Sequence, residues 1–308
     1  MATGPTTGAF TDIDRQHWTL RILPAWAHPY GRLARWDRPI GTWLLLLPCW
    51  WSAALGSGTH WANLLGWMAM FAIGALAARG AGCTWNDIVD RKIDANVERT
   101  RSRPLPSGEV KLKNALVWMV LQSMVCVAIL FKLNKTAGGI ALLSIALVAI
   151  YPTMKRFTTW PQVVLGLTFN WGALVGYAAV TGTLSWATVA LYWGGVAWTL
   201  VYDTIYAMQD QRDDAIIDVR STARLFGDRP RRWLALFAGL ALLCWSVAGY
   251  LADLNAIYYA GLALIALHFG WQIVLLKPDD PADCLAKFKS NAQIGLLLTV
   301  AIIVANLA

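Results

Sequence analysis

The chain has 308 residues, of which 57% are apolar and only 14% charged, with a formal net charge of +8. An ordinary soluble domain carries roughly 25% charged residues and about 45–50% apolar ones, so this composition excludes a soluble globular enzyme, a disordered chain and a coiled coil. A polytopic membrane protein remains, which the mean hydropathy of +0.47 and the 18 Trp residues support, indole rings being at home at the membrane–water interface.

In chain order, the stretch before Arg32 lacks an apolar core of its own and carries Pro24 and Pro29, which is not the pattern of a secretory signal. Segment 20–36 mixes Leu, Ile, Trp and Tyr with Arg21, Arg32 and Arg35; it either lies flat among lipid headgroups or is a lead-in without structure. Residues 1–38 are therefore expected as an N-terminal cytoplasmic or interfacial segment, and 39–308 as one nine-helix domain. Apolar runs long enough to cross about 30 Å of hydrocarbon fall at 40–56, 62–84, 114–131, 136–153, 162–181, 186–206, 233–252, 255–276 and 291–307. The five Cys residues show no paired spacing and read as small buried hydrophobes, without disulfide or zinc.

The 26 Lys and Arg residues test this count. The N-terminal segment and the loops after the second, fourth, sixth and eighth spans hold all of them except Lys132, Lys135 and Arg79. Positive charge gathers on the cytoplasmic side, which predicts a cytoplasmic N-terminus, cytoplasmic caps formed by the long loops, and a C-terminus on the far side. The net charge is thus mainly a topology signal, suited to an anionic lipid surface or substrate; no nucleic-acid partner and no obligate protein partner are expected.

Only 18 acidic residues are present, and they bunch in two places on that basic side. The first is Asn86-Asp87-Ile88-Val89-Asp90-Arg91-Lys92-Ile93-Asp94, where Asn86, Asp90 and Asp94 fall at i, i+4 and i+8 of a helix. In the second, Asp203, Asp210 and Asp214 fall at i, i+7 and i+11, with Asp213 alongside. Like charges one turn apart repel, so something must offset them. Local pairing with Arg91, Lys92 and Arg212 is one solution. The other is that both stripes converge on Mg²⁺, which suits oxygen-only ligands and completes its shell with water and substrate phosphate. Arg79 at membrane depth, Arg35 and Arg38 around Asp37, and Lys155 and Arg156 after Tyr151-Pro152 supply cations for a diphosphate. The run Arg99-Thr-Arg101-Ser-Arg103-Pro104-Leu-Pro106-Ser-Gly108 reads as an ordered loop able to lid the site. A lipid diphosphate would lay its tail among the spans; its ionisation leaves a carbocation that aromatic faces such as Tyr151, Tyr202, Tyr206, Trp171 and Phe169 can stabilise.

These motifs resemble the UbiA-type intramembrane aromatic prenyltransferases, and among them the 4-hydroxybenzoate polyprenyltransferases of ubiquinone biosynthesis. The stretches that carry the resemblance are Arg35-Trp-Asp-Arg-Pro39-Ile-Gly41, Arg79-Gly-Ala-Gly-Cys83-Thr-Trp-Asn86-Asp87-Ile-Val-Asp90-Arg91, Arg103-Pro-Leu-Pro-Ser-Gly108, Tyr151-Pro-Thr-Met-Lys155-Arg156-Phe157-Thr-Thr-Trp160-Pro161-Gln162, the second acidic run, and Ser221-Thr222-Ala-Arg-Leu-Phe-Gly227. The resemblance implies nine transmembrane helices around a central cavity. It implies metal binding by Asn86, Asp90, Asp210 and Asp214, and catalytic roles for Asp90, Asp210, Tyr151, Lys155 and Asp203. Substrate contacts would come from Arg35, Arg38, Arg79, Asp87, Arg91, Lys155 and Arg156. The implied reaction is Mg²⁺-dependent transfer of a polyprenyl group from its diphosphate to the 3-position of 4-hydroxybenzoate, in a bacterial inner membrane. Homogentisate, dihydroxynaphthoate or haem are alternative acceptors, and a cation or metabolite transporter is the alternative class.

Overall fold

The computed structural model describes residues 17–96, 100–210 and 220–308. Every regular element among the described residues is helical. Two short helices, α1 (Trp18–Arg21) and α2 (His28–Leu33), precede α3 (Ile40–Ser57), α4 (Trp61–Asp94), α5 (Leu112–Leu130) and α6 (Lys135–Phe157). Then follow α7 (Pro161–Phe169), α8 (Trp171–Thr181), α9 (Trp186–Ala207), α10 (Thr222–Phe226), α11 (Pro230–Leu251), α12 (Ala256–Val274) and α13 (Pro281–Ala305).

Among the described residues, eight stretches are helical, long and apolar enough to cross a membrane: α3, α4, α5, α6, α7 with α8, α11, α12 and α13. This is a multi-pass membrane protein. The remaining predicted span, 186–206, coincides with α9, whose 22 residues are long enough but carry Trp, Tyr, Gly and Thr in place of uniform aliphatics. Three expected boundaries move. Helix α4 does not stop at 84 but continues without a break to Asp94. The fifth span divides at Asn170 into α7 and α8. The last span starts at Pro281, ten residues before the predicted 291, so Lys287 and Lys289 stand on a helix and not in a loop. Lys287 is tolerated there because Asp283, one turn earlier, pairs with its ammonium.

The chain forms two compact units, Met1–Gly41 with Leu76–Ala128 and Thr42–Ala75 with Ile129–Ala308. In the first, Leu33, Leu105, Val110 and Ala115 make a small core, with Tyr30, Ile88 and Trp118 packed on it. The N-terminal segment is folded onto it: Leu20 is buried, and Thr19 Oγ1 donates to the Trp36 carbonyl at 2.7 Å. Trp18, Ile22 and Trp26 face outward at 65%, 73% and 75% exposure, and segment 20–36 is structured, not the alternative lead-in without structure. The basic loop is ordered as predicted from Thr100 on, Arg99 lying outside the described residues: Thr100 Oγ1 donates to the Asp94 carbonyl, Val110 N–H to the Pro104 carbonyl, and Gly108 supplies a left-handed turn at φ +79°.

In the second unit α9 is the hub, packed against α7, α8, α11 and α13. Small residues let the helices approach closely, as membrane helices must when lipid offers no hydrophobic drive. Gly172 and Gly176 of α8 lie against Cys49 and Ser52 of α3, where a Cβ would come within 2.4 Å of Cys49 Sγ and of Ser52 Oγ. Trp51, Trp198 and Trp245 form a fully buried aromatic cluster. The indoles of Trp51 and Trp198 donate to the Gly295 carbonyl and to Asn291 Oδ1, both at 2.8 Å. At the break in the fifth span, Asn170 Nδ2 donates to the Gly166 carbonyl at 2.9 Å and to Thr199 Oγ1 at 2.8 Å, and the Tyr192 hydroxyl donates to the Leu167 carbonyl at 3.2 Å. The Leu167 carbonyl, at the break, is thereby satisfied away from water.

Candidate functional site

The first acidic motif is the end of a membrane helix. At a rise of about 1.5 Å per residue the 34 residues of α4 span about 51 Å, well beyond the hydrocarbon thickness. Because α4 is unbroken, Arg79, Asn86, Asp90 and Asp94 share one face, as their spacing predicted. Asp90 and Asp87 are fully buried, Asp94 is 6% exposed, and Asn86, Arg79 and Arg91 are half-buried.

Asp87 and Asp94 on this helix meet cations from outside it, and further ion pairs lie nearby in the chain. Arg35 Nη2 donates to Asp87 Oδ1 at 2.6 Å. Arg103 Nη1 donates to Asp94 Oδ2 at 2.9 Å and reaches Asp87 Oδ1 at 3.4 Å. Arg32 pairs with Glu109. Arg38 Nε donates to Asp37 Oδ2 at 3.2 Å, and Asp37 is 2% exposed. Arg35 holds φ at +60°, a left-handed backbone that costs about 1 kcal/mol or more without glycine. Of the predicted residues, the structure thus brings Arg35 and Asp87 into direct contact and sets Asp87 and Asp94 among guanidinium groups.

Gly41, quoted in the first motif without a role, lies under Arg79: a Cβ there would sit 2.6 Å from Nε and from Nη2. Only a bare backbone leaves the guanidinium that room.

In the second unit, Tyr151 and Asp203 are half-buried on α6 and α9. Lys155 and Arg156 lie in the last turn of α6, after Pro152, and Asp210 closes a 3₁₀ turn, Met208–Asp210, that follows α9. The side chains of Lys155, Arg156 and Asp210, and all of Asp213 and Asp214, lie outside the described residues. The tightening to three residues per turn carries Asp210 ahead of the strict i, i+7 register predicted from Asp203. Tyr202, considered as a cation stabiliser, is 1% exposed, its hydroxyl bonded to Thr199 Oγ1 at 3.0 Å and its ring packed edge-on against Trp198. Tyr206 is more open, its ring 4.6 Å from that of Phe288, a partner on α13 with no signal in the sequence.

Two other quoted motifs meet beside α9. The Thr222 N–H donates to Gln162 Oε1 at 3.1 Å, Thr222 Oγ1 lies 2.6 Å from Thr204 Oγ1, and Trp160 packs edge-on against Phe226. Ser221 caps α10 through the Arg224 N–H. Gln162 and Thr222 therefore staple the start of α7 and the start of α10 to α9.

A family model described as the UbiA prenyltransferase family matches residues 45–297. The chain belongs to the UbiA prenyltransferase family. It is 45% identical over 299 residues to the mitochondrial 4-hydroxybenzoate polyprenyltransferase of Drosophila melanogaster, covering 96% of this chain and 76% of that one. An apo structure of a UbiA homolog from Aeropyrum pernix K1 superposes with a TM-score of 0.69 at 24% identity, over 85% of this chain and 97% of that one. A UbiA homolog from Archaeoglobus fulgidus, bound to GPP and Mg²⁺, does so with a TM-score of 0.65 at 18% identity, over 90% and 99%. In UbiA terms the helical architecture is shared along nearly the whole chain.

The donors present suit a hard divalent cation. Among the described residues no three His, Cys, Asp or Glu side chains gather around one point. The first unit of this UbiA chain therefore offers Asn86 and Asp90, an all-oxygen pair one helical turn apart. That suits Mg²⁺, which usually takes one or two carboxylates and fills its shell with water and phosphate, better than Zn²⁺.

Proposed function

We propose that this chain transfers a polyprenyl group from polyprenyl diphosphate to the 3-position of 4-hydroxybenzoate, releasing diphosphate, as a step of ubiquinone biosynthesis. The observation that carries this is the 45% identity along 96% of the chain to an enzyme of that name. Membership of the family sets the transporter reading aside.

In this reading Asn86 and Asp90, with Asp210 and Asp214, hold Mg²⁺, whose chemistry is to neutralise the diphosphate as its charge develops. The carbon–oxygen bond of the allylic diphosphate breaks, and its electron pair leaves with diphosphate. Arg79, resting on Gly41, and Arg35, turned by Asp87, receive that charge together with Lys155; Arg38 and Arg91 add to the positive field. Tyr151 faces the allylic cation. The ring carbon ortho to the phenol attacks it, and aromaticity returns when that carbon loses its proton. Asp203 orients the phenol and Arg156 pairs with the acceptor's carboxylate. Apolar helices and the loop 100–110 keep out water that would quench the cation. We further infer that α9 is the ninth span, that N-terminus and acidic motifs face the cytoplasm or matrix, and that the C-terminus faces the opposite side. The membrane is an energy-coupling inner membrane, bacterial or mitochondrial.

The test is an acceptor screen on the purified protein with radiolabelled geranyl diphosphate, Mg²⁺ and a panel of aromatic acids, products being identified by mass. A 3-prenyl-4-hydroxybenzoate product is expected. Incorporation into homogentisate or dihydroxynaphthoate with none into 4-hydroxybenzoate overturns the acceptor assignment.

A further inference from the structure

Arg35, Asp87, Arg103 and Asp94 form a chain of alternating charge. Arg35 Nη2 meets Asp87 Oδ1 at 2.6 Å, Arg103 Nη1 lies 3.4 Å from the same oxygen, and Arg103 Nη1 meets Asp94 Oδ2 at 2.9 Å. The side chains of Arg35, Asp87, Arg103 and Asp94 are 9%, 0%, 11% and 8% exposed. The charges of the four cancel. A buried set of this kind adds little net stability over apolar residues, because desolvation offsets the attraction, but it fixes geometry, and losing one member strands a charge. What it fixes here is a residue whose backbone resists its conformation: Arg35 at φ +60°, with Nη1 also bonded to the Arg32 carbonyl at 3.1 Å. Those contacts use two of the five N–H groups of its guanidinium, leaving donors for an anion.

The chain joins three pieces distant in sequence: the turn after α2, the end of α4 and the loop 100–110. Asp94 belongs by spacing to the Asn86–Asp90 stripe, yet its carboxylate is engaged by Arg103.

We propose that Arg103 is a positioning residue for diphosphate recognition: acting through Asp87, it holds Arg35 in its left-handed pose, while Asp94 serves as the counter-ion of Arg103 and not as a metal ligand. This rests on the reading of Arg35 as a diphosphate contact. It makes two separable demands. Losing Arg103 weakens prenyl diphosphate binding, because Arg35 relaxes, and leaves cation binding alone. Losing the Asp94 charge has the same signature in weaker form, because Arg103 keeps its contact to Asp87.

The experiment measures KM for geranyl diphosphate, KM for 4-hydroxybenzoate, kcat and the Mg²⁺ activation midpoint in the full-length detergent-solubilised protein, for Arg103→Ala, Arg103→Lys, Asp94→Asn and, as a control, Asp90→Asn. Arg103→Ala is expected to raise KM for the diphosphate about tenfold with the Mg²⁺ midpoint within about twofold. Arg103→Lys recovers part of that loss, and Asp94→Asn raises the same KM about threefold without moving the midpoint. An unchanged diphosphate KM in Arg103→Ala, or an Asp94→Asn midpoint displaced as far as that of Asp90→Asn, overturns the proposal. Should Arg103→Ala not fold, Arg103→Lys and Asp94→Asn decide by the same readouts. Full activity in Asp90→Asn is a different failure: it removes the site reading itself.

Discussion

Gly41 lies so close beneath the Arg79 guanidinium that a single added methyl would overlap it, 2.6 Å from both Nε and Nη2. Gly41→Ala should therefore displace Arg79 without touching its charge. The expected result is a rise of about tenfold in KM for prenyl diphosphate, with KM for the aromatic acid unchanged, since misplacing a binding group by an ångström costs on this scale. Steady-state kinetics on Gly41→Ala beside Arg79→Lys would show it; identical diphosphate KM values in wild type and Gly41→Ala would detach Arg79 from the headgroup.

Chelation offers an independent check of the metal assignment. EDTA should abolish turnover and added Mg²⁺ restore it, whereas Asp90→Asn should lose about a hundredfold or more in kcat at any Mg²⁺ concentration with an unaltered melting temperature. Turnover in EDTA equal to that in Mg²⁺ would contradict it.

The break in the fifth span makes a stability prediction. Asn170 Oδ1 has no hydrogen-bond partner among the described residues and lies over Gly195, where a Cβ would come within 2.1 Å of it. Gly195→Ala must push Asn170 off the Gly166 carbonyl and Thr199, and overpacking of this kind costs about 1–3 kcal/mol. Thermal unfolding in detergent should fall by several degrees, and Thr199→Val, which removes one of Asn170's partners without a clash, should cost less.

Orientation can be read with an impermeant maleimide on single-cysteine probes at two exposed positions. Lys132→Cys should react in intact inner-membrane vesicles or cells from the side opposite the acidic motifs, and Ser107→Cys only after permeabilisation. The opposite pattern would invert the topology.

The membrane class and the approximate place of each long apolar helix were legible because apolar runs and the sidedness of Lys and Arg follow directly from the bilayer. Where the sequence misled, a partner, near or distant in the chain, had altered what a residue could do. Lys287 looked like a loop residue because a lone lysine is costly in hydrocarbon, but Asp283 cancels it and the helix starts at Pro281. Segment 162–181 looked continuous because Asn170 carries no breaker signal; the break exists because Thr199, 29 residues on, accepts its amide.

The site shows the same division. Spacing placed Asn86 and Asp90 on one face of α4 correctly, since that depends only on helical period. It put Asp94 on that face too, correctly, but could not show its contact with Arg103, which exists only once the loop folds back. Gly41, Arg103, Gln162 and Thr222 all lay within quoted motifs, yet their work is to hold another residue, and no local pattern announces that. Phe288 lay in no motif at all.

The length of α4 has a mechanical side. As an unbroken 34-residue rod anchored in the bilayer, it bears Asn86 and Asp90 near one tip, so a tilt of about 10° over its roughly 51 Å would sweep that tip through about 9 Å. Membrane thickness, which sets helix tilt, thus bears on where the acids stand, and lipids of different acyl length become a lever on catalysis that no residue of the active centre reveals.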